Sequence, residues 1–297
     1  MRCAAALTFA DFVLTTSEYN KASLAKHMAN QRMDLLPVHQ VALAREPSKP
    51  APVDSNLSPL VAETISRDYV LCVGTIEVRK NPTYLFNIWK LMVRSGRPNI
   101  PTLVFAGRKG WLVQDFMNQL KACNYLEGKI VLVNDATDAE LDLLYRKCML
   151  TIFPSFAEGW GLPLGESLAR GKISICSNMG GIPEVGGKLL DYIDPYNVHS
   201  GLELVLRYLD DPKLRQSRED EIARDFEPRS WKKVTEDFLS SAQALARQVR
   251  PRETAIMLPP NRFLPISADA RAILLDGLDG SLSAELASGG KDGKSWV

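Results

Sequence analysis

From residue 69 to residue 193 the sequence repeats one pattern, a short and continuously apolar run followed by a helical stretch. The runs are 69–76, 102–106, 129–133, 149–153, 173–176 and, more weakly, 189–193. Runs that are apolar at every position are strands buried on both faces. Helical stretches fall between them, at 82–95, 112–123, 138–147 with Asp138 as the cap, and 164–170. The pattern therefore predicts an α/β chain, a Rossmann-like parallel sheet with helices on both faces. Three more helices are predicted at 197–209, 213–224 and 230–246. Sheets of this kind take ligands beyond the carboxyl ends of their strands. Segments 74–80, 107–111, 133–138 and 155–166 lie there and can converge despite their separation in sequence.

One of these segments is unlike ordinary loop sequence. Residues 154–167 read PSFAEGWGLPLGES. Gly159 and Gly161 allow a ligand close to the backbone. Pro163 suits a helix start, where its missing N–H would go unpaired anyway. Free N–H groups near Gly161, Leu162 and Leu164 would face an anion, backed by the positive helix end. Glu158 and Glu166 flank this turn, eight residues apart. Taken alone, Glu166 could merely favour a helix start by roughly 0.3–1 kcal/mol, and Glu158 could be an exposed loop charge. Glycines without a turn role and an exposed Trp160 would be odd on a solvated loop, so the segment reads as a phosphate seat between two carboxylates.

The bulk composition is that of a soluble globular chain: 297 residues, 45% hydrophobic, 24% charged, net charge +1. No basic stripe interleaved with aromatics points to nucleic acid. The five cysteines (3, 72, 123, 148 and 176) lack metal-ligand spacing and read as reduced core thiols of a cytoplasmic protein. Residues 1–8 are too short for a signal peptide or a span. Residues 10–16 form a strand-like run, Ser17 caps a helix to about 29, and 35–43 is extended. This piece is too small to be a domain and reads as the end of one. The division expected is a 1–46 remnant, a proline-rich linker at 47–68, the Rossmann-like domain at 69–228, a crossing helix at 229–248 and a loose tail at 249–297, with one weak helix around 268–275.

Segment 154–167 resembles the E-x7-E signature of the retaining family-4 (group 1) glycosyltransferases of GT-B fold. YVLCVGTIEVRKNP (69–82), TLVFAGRKGW (102–111), VLVNDATDAELDLLYRKC (131–148), TIFPSFAEGWGLPLGESLARG (151–171) and SNMGGIPEVGG (177–187) resemble other blocks of that family. ADFVLTTSEYNKASL (10–24) resembles the close of its N-terminal domain. The resemblance covers about residues 10–245. It implies two Rossmann-like domains with the active site between them, the C-terminal one holding a nucleotide-diphosphate sugar and the N-terminal one a glycan or lipid-linked acceptor.

The resemblance also implies roles. Glu158 contacts the donor sugar, Glu166 the ribose, and the backbone of Gly159, Trp160, Gly161 and Leu162 the phosphates. Lys80, beside Arg79, reaches the diphosphate from the end of the Gly74–Thr75 turn and neutralises charge on the leaving nucleotide. Without the resemblance, Arg79 and Lys80 would read as a solvated pair before a helix. Thr75 stands where many relatives carry arginine. Val133 and Asn134 would border the base, although Val133 could be plain core. Arg108 is either a ligand contact or part of a surface turn. Trp231 would pack its helix back across the domains, and the Gly180–Gly181 stretch would be a structural turn. No D-x-D stretch stands near a strand end, so neither a metal nor another cofactor is expected. The implied reaction is hexose transfer with retention, from a GDP-mannose-like donor. The resemblance further implies that most of the N-terminal domain is missing, and with it any association with the inner face of the membrane. The alternative is a donor-binding module or inactive fragment serving a separate acceptor domain. A dehydrogenase is disfavoured, because no G-x-G-x-x-G follows the first strand.

Overall fold

The computed structural model describes residue 7 and residues 10–33, 35–46 and 57–249. The tail from 250 onward, with the helix expected at 268–275, lies outside the described residues. The amino-terminal part contains β1 (Val13–Thr15), α1 (Glu18–Asn30) and β2 (Val38–Gln40), and β1 and β2 pair in parallel. Ser17 caps α1 as expected, its hydroxyl accepting the Asn20 N–H at 3.1 Å. Residues 57–68 are not plain linker, for they include α2 (Pro59–Thr64), which buries Val61 and Thr64.

Six parallel strands follow: β3 (Tyr69–Val73), β4 (Thr102–Ala106), β5 (Ile130–Val133), β6 (Leu150–Phe153), β7 (Ser174–Ser177) and β8 (Asp191–Ile193). Their order is β5-β4-β3-β6-β7-β8. β3, β4, β6 and β7 are buried at every position, which explains their largely apolar sequence, and the buried hydroxyls of Thr151 and Ser174 lie 3.0 Å apart. The chain builds outward from β3 through β4 to β5, then returns to the other side of β3 with β6. The order thus reverses between β3 and β6, and the loops after these two strands flank the resulting crevice.

Helices α3 (Pro82–Arg94), α4 (Gln114–Ala122), α5 (Asp138–Lys147), α6 (Leu162–Leu168), α7 (Pro183–Gly186), α8 (Val198–Asp210), α9 (Pro212–Asp225) and α10 (Trp231–Gln248) complete the described chain. α3 buries Leu85, Ile88 and Trp89 completely, and the Trp89 indole donates to the Pro101 carbonyl at 2.8 Å. Two expected helix starts are corrected. Thr137, not Asp138, caps α5: its hydroxyl accepts the Glu140 N–H while the Glu140 carboxylate accepts the Thr137 N–H, a reciprocal capping box. α6 begins two residues early because Gly161, at φ +108°, turns the chain before Leu162. α10 packs against the segment after β2, through Val234 with Val41 and Ala44. Trp231 stays 49% exposed, so Val234 rather than Trp231 anchors this helix. Cys72, Cys148 and Cys176 are buried free thiols, and burial pushes Cys72 and Cys148 up to about 12.

Candidate functional site

The loop after β3 is shaped by two glycines. Gly74, at φ +126°, lets the chain leave the strand sharply. A Cβ on Gly107, at the end of β4, would overlap the Gly74 carbonyl, so the two strand ends can cross only because Gly107 is bare. The Lys80 side chain lies over Gly74, where a Cβ would sit 3.2 Å from its Cε. Arg79 and Lys80 belong to a short 3-10 turn, Val78–Lys80, closed by Asn81 in the left-handed region.

The loop after β6 meets this turn. Lys80 Nζ lies 2.8 Å from Glu158 Oε1, and Arg79 Nη1 lies 2.7 Å from Glu158 Oε2. Ser155 donates to Glu158 Oε1 at 3.1 Å, and the Phe156 N–H donates to the Arg79 carbonyl at 2.9 Å. The Glu158 side chain is only 11% exposed. Burial opposes its ionisation, but the charges and hydrogen bonds of Lys80 and Arg79 prevail and hold its carboxyl below the usual range. Glu158 is therefore a hydrogen-bond acceptor at neutral pH, not an acid.

Arg79 is held in place by Glu77, a residue the sequence reading did not single out. Its Nη2 donates to Glu77 Oε1 at 2.6 Å, while Glu77 Oε2 accepts from the Trp111 indole at 2.6 Å. The arginine thus occupies the site although Thr75, itself exposed, stands directly after Gly74.

In the glycine turn, no acceptor among the described residues lies within hydrogen-bond reach of the N–H groups of Gly159, Trp160, Gly161 and Leu162. The Leu164 N–H, expected to be free, instead donates to the Gly161 carbonyl at 3.0 Å, as the chain tightens into α6. The Trp160 side chain is 5% exposed and belongs to the main core, so it is its backbone that faces the turn, as the sequence reading expected. Beyond the turn, Glu166 Oε2 accepts from the Tyr145 hydroxyl at 2.9 Å.

Amino-terminal residues close on the same turn. The Gly159 carbonyl accepts from Thr16 Oγ1 at 3.2 Å and from Asn20 Nδ2 at 3.0 Å. Glu184 accepts the Glu18 and Tyr19 N–H groups at 2.7 and 2.9 Å, meeting the positive end of α1. Gly180 and Gly181 do more than turn the chain: a Cβ on Gly180 would overlap the Glu158 carbonyl, and the Gly181 N–H donates to that carbonyl at 2.9 Å. The pair lets the 158–159 backbone be buttressed from behind.

The remaining candidates stand apart from the ion cluster. Val133 is buried, and its carbonyl accepts the Gly107 N–H at 2.9 Å, so its backbone is committed to the sheet edge. Asn134 is exposed beside it. The Arg108 side chain is 83% exposed and pairs with Asp135 at 3.3 Å, the surface-turn alternative. Among the described residues no group of three or more His, Cys, Asp or Glu is arranged to hold a metal ion, and no helix is long and apolar enough to cross a membrane.

Fold and site together define a Rossmann-like α/β domain whose paired cations, carboxylates and open glycine turn gather at the topological switch point. The chain belongs to the glycosyl transferases group 1 family, whose model matches residues 63–224. It is 27% identical over 244 residues to an O-antigen chain mannosyltransferase B of Escherichia coli, covering 80% of this chain and 62% of that protein. A serotype-specific mannosyltransferase of Escherichia coli is 26% identical over 131 residues, covering 44% of this chain and 16% of its own length. Among solved structures, the UDP-forming alpha,alpha-trehalose-phosphate synthase of Burkholderia vietnamiensis superposes with a TM-score of 0.64 at 13% identity, covering 82% of this chain and 62% of that one. At that identity the likeness shows the fold alone, that of GT-B glycosyltransferases. The chain spans about three-fifths of the length of the first relative it matches.

Proposed function

We propose that this chain carries the donor side of a retaining glycosyltransferase that moves a hexose from a GDP-mannose-like donor to a glycan or lipid-linked acceptor. The observation that carries the reading is the convergence of Lys80 and Arg79 on Glu158, beside four backbone N–H groups with no acceptor among the described residues. Two cations and an open amide turn are suited to a diphosphate. Glu158, ionised and acceptor-only, is suited to sugar hydroxyls, and Glu166 to a ribose. The mannosyltransferase names of the relatives support the choice of donor, and the O-antigen name supports a polysaccharide acceptor.

In the proposed reaction the anomeric carbon–oxygen bond breaks, and the nucleoside diphosphate leaves with the bonding pair. Lys80, Arg79 and the turn stabilise the charge growing on it. The acceptor hydroxyl bonds to the same face of the sugar, and its proton passes to the departing phosphate oxygen. In this reading no divalent cation is needed, because the lysine, the arginine and the amides supply the positive charge. Acceptor binding, and any contact with the inner membrane face, belong to the N-terminal side of the full family fold.

The test is calorimetric titration of GDP into the chain and into Lys80→Ala, with and without EDTA. The expected result is at least a tenfold loss of affinity in the variant, about 1.4 kcal/mol, and no effect of EDTA on either. Equal affinities would remove Lys80 from the site.

A further inference from the structure

Glu166 is held from behind by a buried assembly outside the motif segment. Tyr145, on the inner face of α5, is fully buried, and its hydroxyl lies 2.9 Å from Glu166 Oε2 and 3.3 Å from the Pro163 carbonyl, the shorter bond going to the carboxylate. One turn earlier on the same helix, Asp142 Oδ1 accepts from both Nε and Nη2 of the Arg170 guanidinium, at 2.9 and 2.8 Å. That guanidinium lies over the Tyr145 ring, 4.8 Å from its centroid, and its Nη1 donates to the Glu166 carbonyl at 2.8 Å. The Arg170 side chain is 4% exposed. Both the carboxylate and the main chain of Glu166 are thus fixed by one packed unit, while Glu166 Oε1 accepts from no described residue.

We propose that Tyr145 is a positioning residue that pins Glu166 Oε2 and so presents Oε1, in one orientation, to the hydroxyls of a bound nucleotide's ribose. The inference rests on the donor-site reading above. A carboxylate on a free side chain must give up rotamer freedom to accept two vicinal hydroxyls, and one already fixed does not. Burial, reinforced by the neighbouring Glu166, raises the phenol well above its ordinary range, so it stays a donor at any working pH. Arg170 fixes the plane of the tyrosine ring and Asp142 fixes Arg170. A tyrosine kept only for packing would need neither the hydroxyl contact nor the arginine behind it.

The experiment compares the affinity of the chain for GDP and for 2′,3′-dideoxy-GDP. The unaltered chain should prefer the ribonucleotide at least tenfold. Tyr145→Phe, which keeps the ring and its stacking on Arg170, should reduce that preference at least fivefold by weakening GDP binding alone. Affinity for the dideoxy nucleotide should stay within twofold, a selective change that mere loosening of the core would not produce. Arg170→Lys, which leaves the hydroxyl in place but removes the planar stack and the paired contact with Asp142 Oδ1, should reduce the preference by a smaller factor and stands in if Tyr145→Phe does not fold. A preference unchanged in the folded variants overturns the positioning role and leaves the donor-site reading intact. If the unaltered chain shows no preference, Glu166 does not meet the ribose, and the donor-site reading of that residue fails with the inference.

Discussion

Glu140 shows how much a single carboxylate can do away from the ion cluster. It is buried, it closes the capping box of α5, and its Oε1 accepts the Ser58 N–H at 2.7 Å, tying the segment before α2 to α5. Hydrogen bonds from Ser58 and then from Thr137 outweigh burial and lower its pKa from 4.5 to about 2. The folded value lies below the unfolded one. Its contribution is therefore fully present above pH 4.5 and is lost as the pH falls through about 2. Glu140→Gln should destabilise the fold at neutral pH by about 1–3 kcal/mol and flatten the acid limb between those values, as read by urea melts across that range. Lys80 and Glu158 were singled out from sequence because their segments resemble blocks of one family, and the fold brings the two side chains into contact. Glu77 and Tyr145 were not, since each acts through a partner that only the tertiary fold supplies: Glu77 through Arg79 and Trp111, Tyr145 through a residue 21 positions away.

The glycines behind the site decide how its elements meet. Gly180 and Gly187 both have positive φ, at +67° and +51°, but only Gly180 has no room for a side chain. Gly187, at ψ −120°, lies outside the left-handed helical region in backbone that favours glycine, so Gly187→Ala should cost roughly 1–3 kcal/mol through backbone strain alone. Gly180→Ala adds an overlap with the Glu158 carbonyl and should cost about 3 kcal/mol or more, with loss of GDP binding in the same sample. Thermal melts and calorimetry on the two variants check the contrast. The strands were readable because burial on both faces of the central ones leaves a short, largely apolar signature. Exact helix starts were less so: Asp138 and Thr137 are both good caps, and only the reciprocal bond with Glu140 chooses between them. Pro163 does stand in the first turn of α6 as expected, but the helix opens at Leu162 because Gly161 turns the chain there.

At the scale of the whole molecule, the amino-terminal segment is fastened to the site rather than trailing from it. Glu184 meets the first turn of α1, Thr16 and Asn20 hold the Gly159 carbonyl, and Arg45 reaches the Val185 carbonyl at 2.8 Å. Glu184→Ala should leave the sheet intact and free the Glu18 and Tyr19 amides. Their hydrogen exchange should speed at least tenfold while amides of β3 and β6 are unchanged. Equal rates at all four places would mean that this contact does not fasten the helix. The sequence resemblance assigned this segment to the close of the N-terminal domain. It could not foresee its grip on residue 159, because a main-chain carbonyl leaves no trace in side-chain pattern.

The triple contact of Lys80, Arg79 and Glu158 has a consequence for how an occupant enters. In the proposed donor site an arriving pyrophosphate would meet Lys80 and Arg79 already paired with an anion and would have to exchange with it. The displaced carboxylate would then be free to turn toward the sugar arriving on the same molecule, so that loading the site and arming it would be one event.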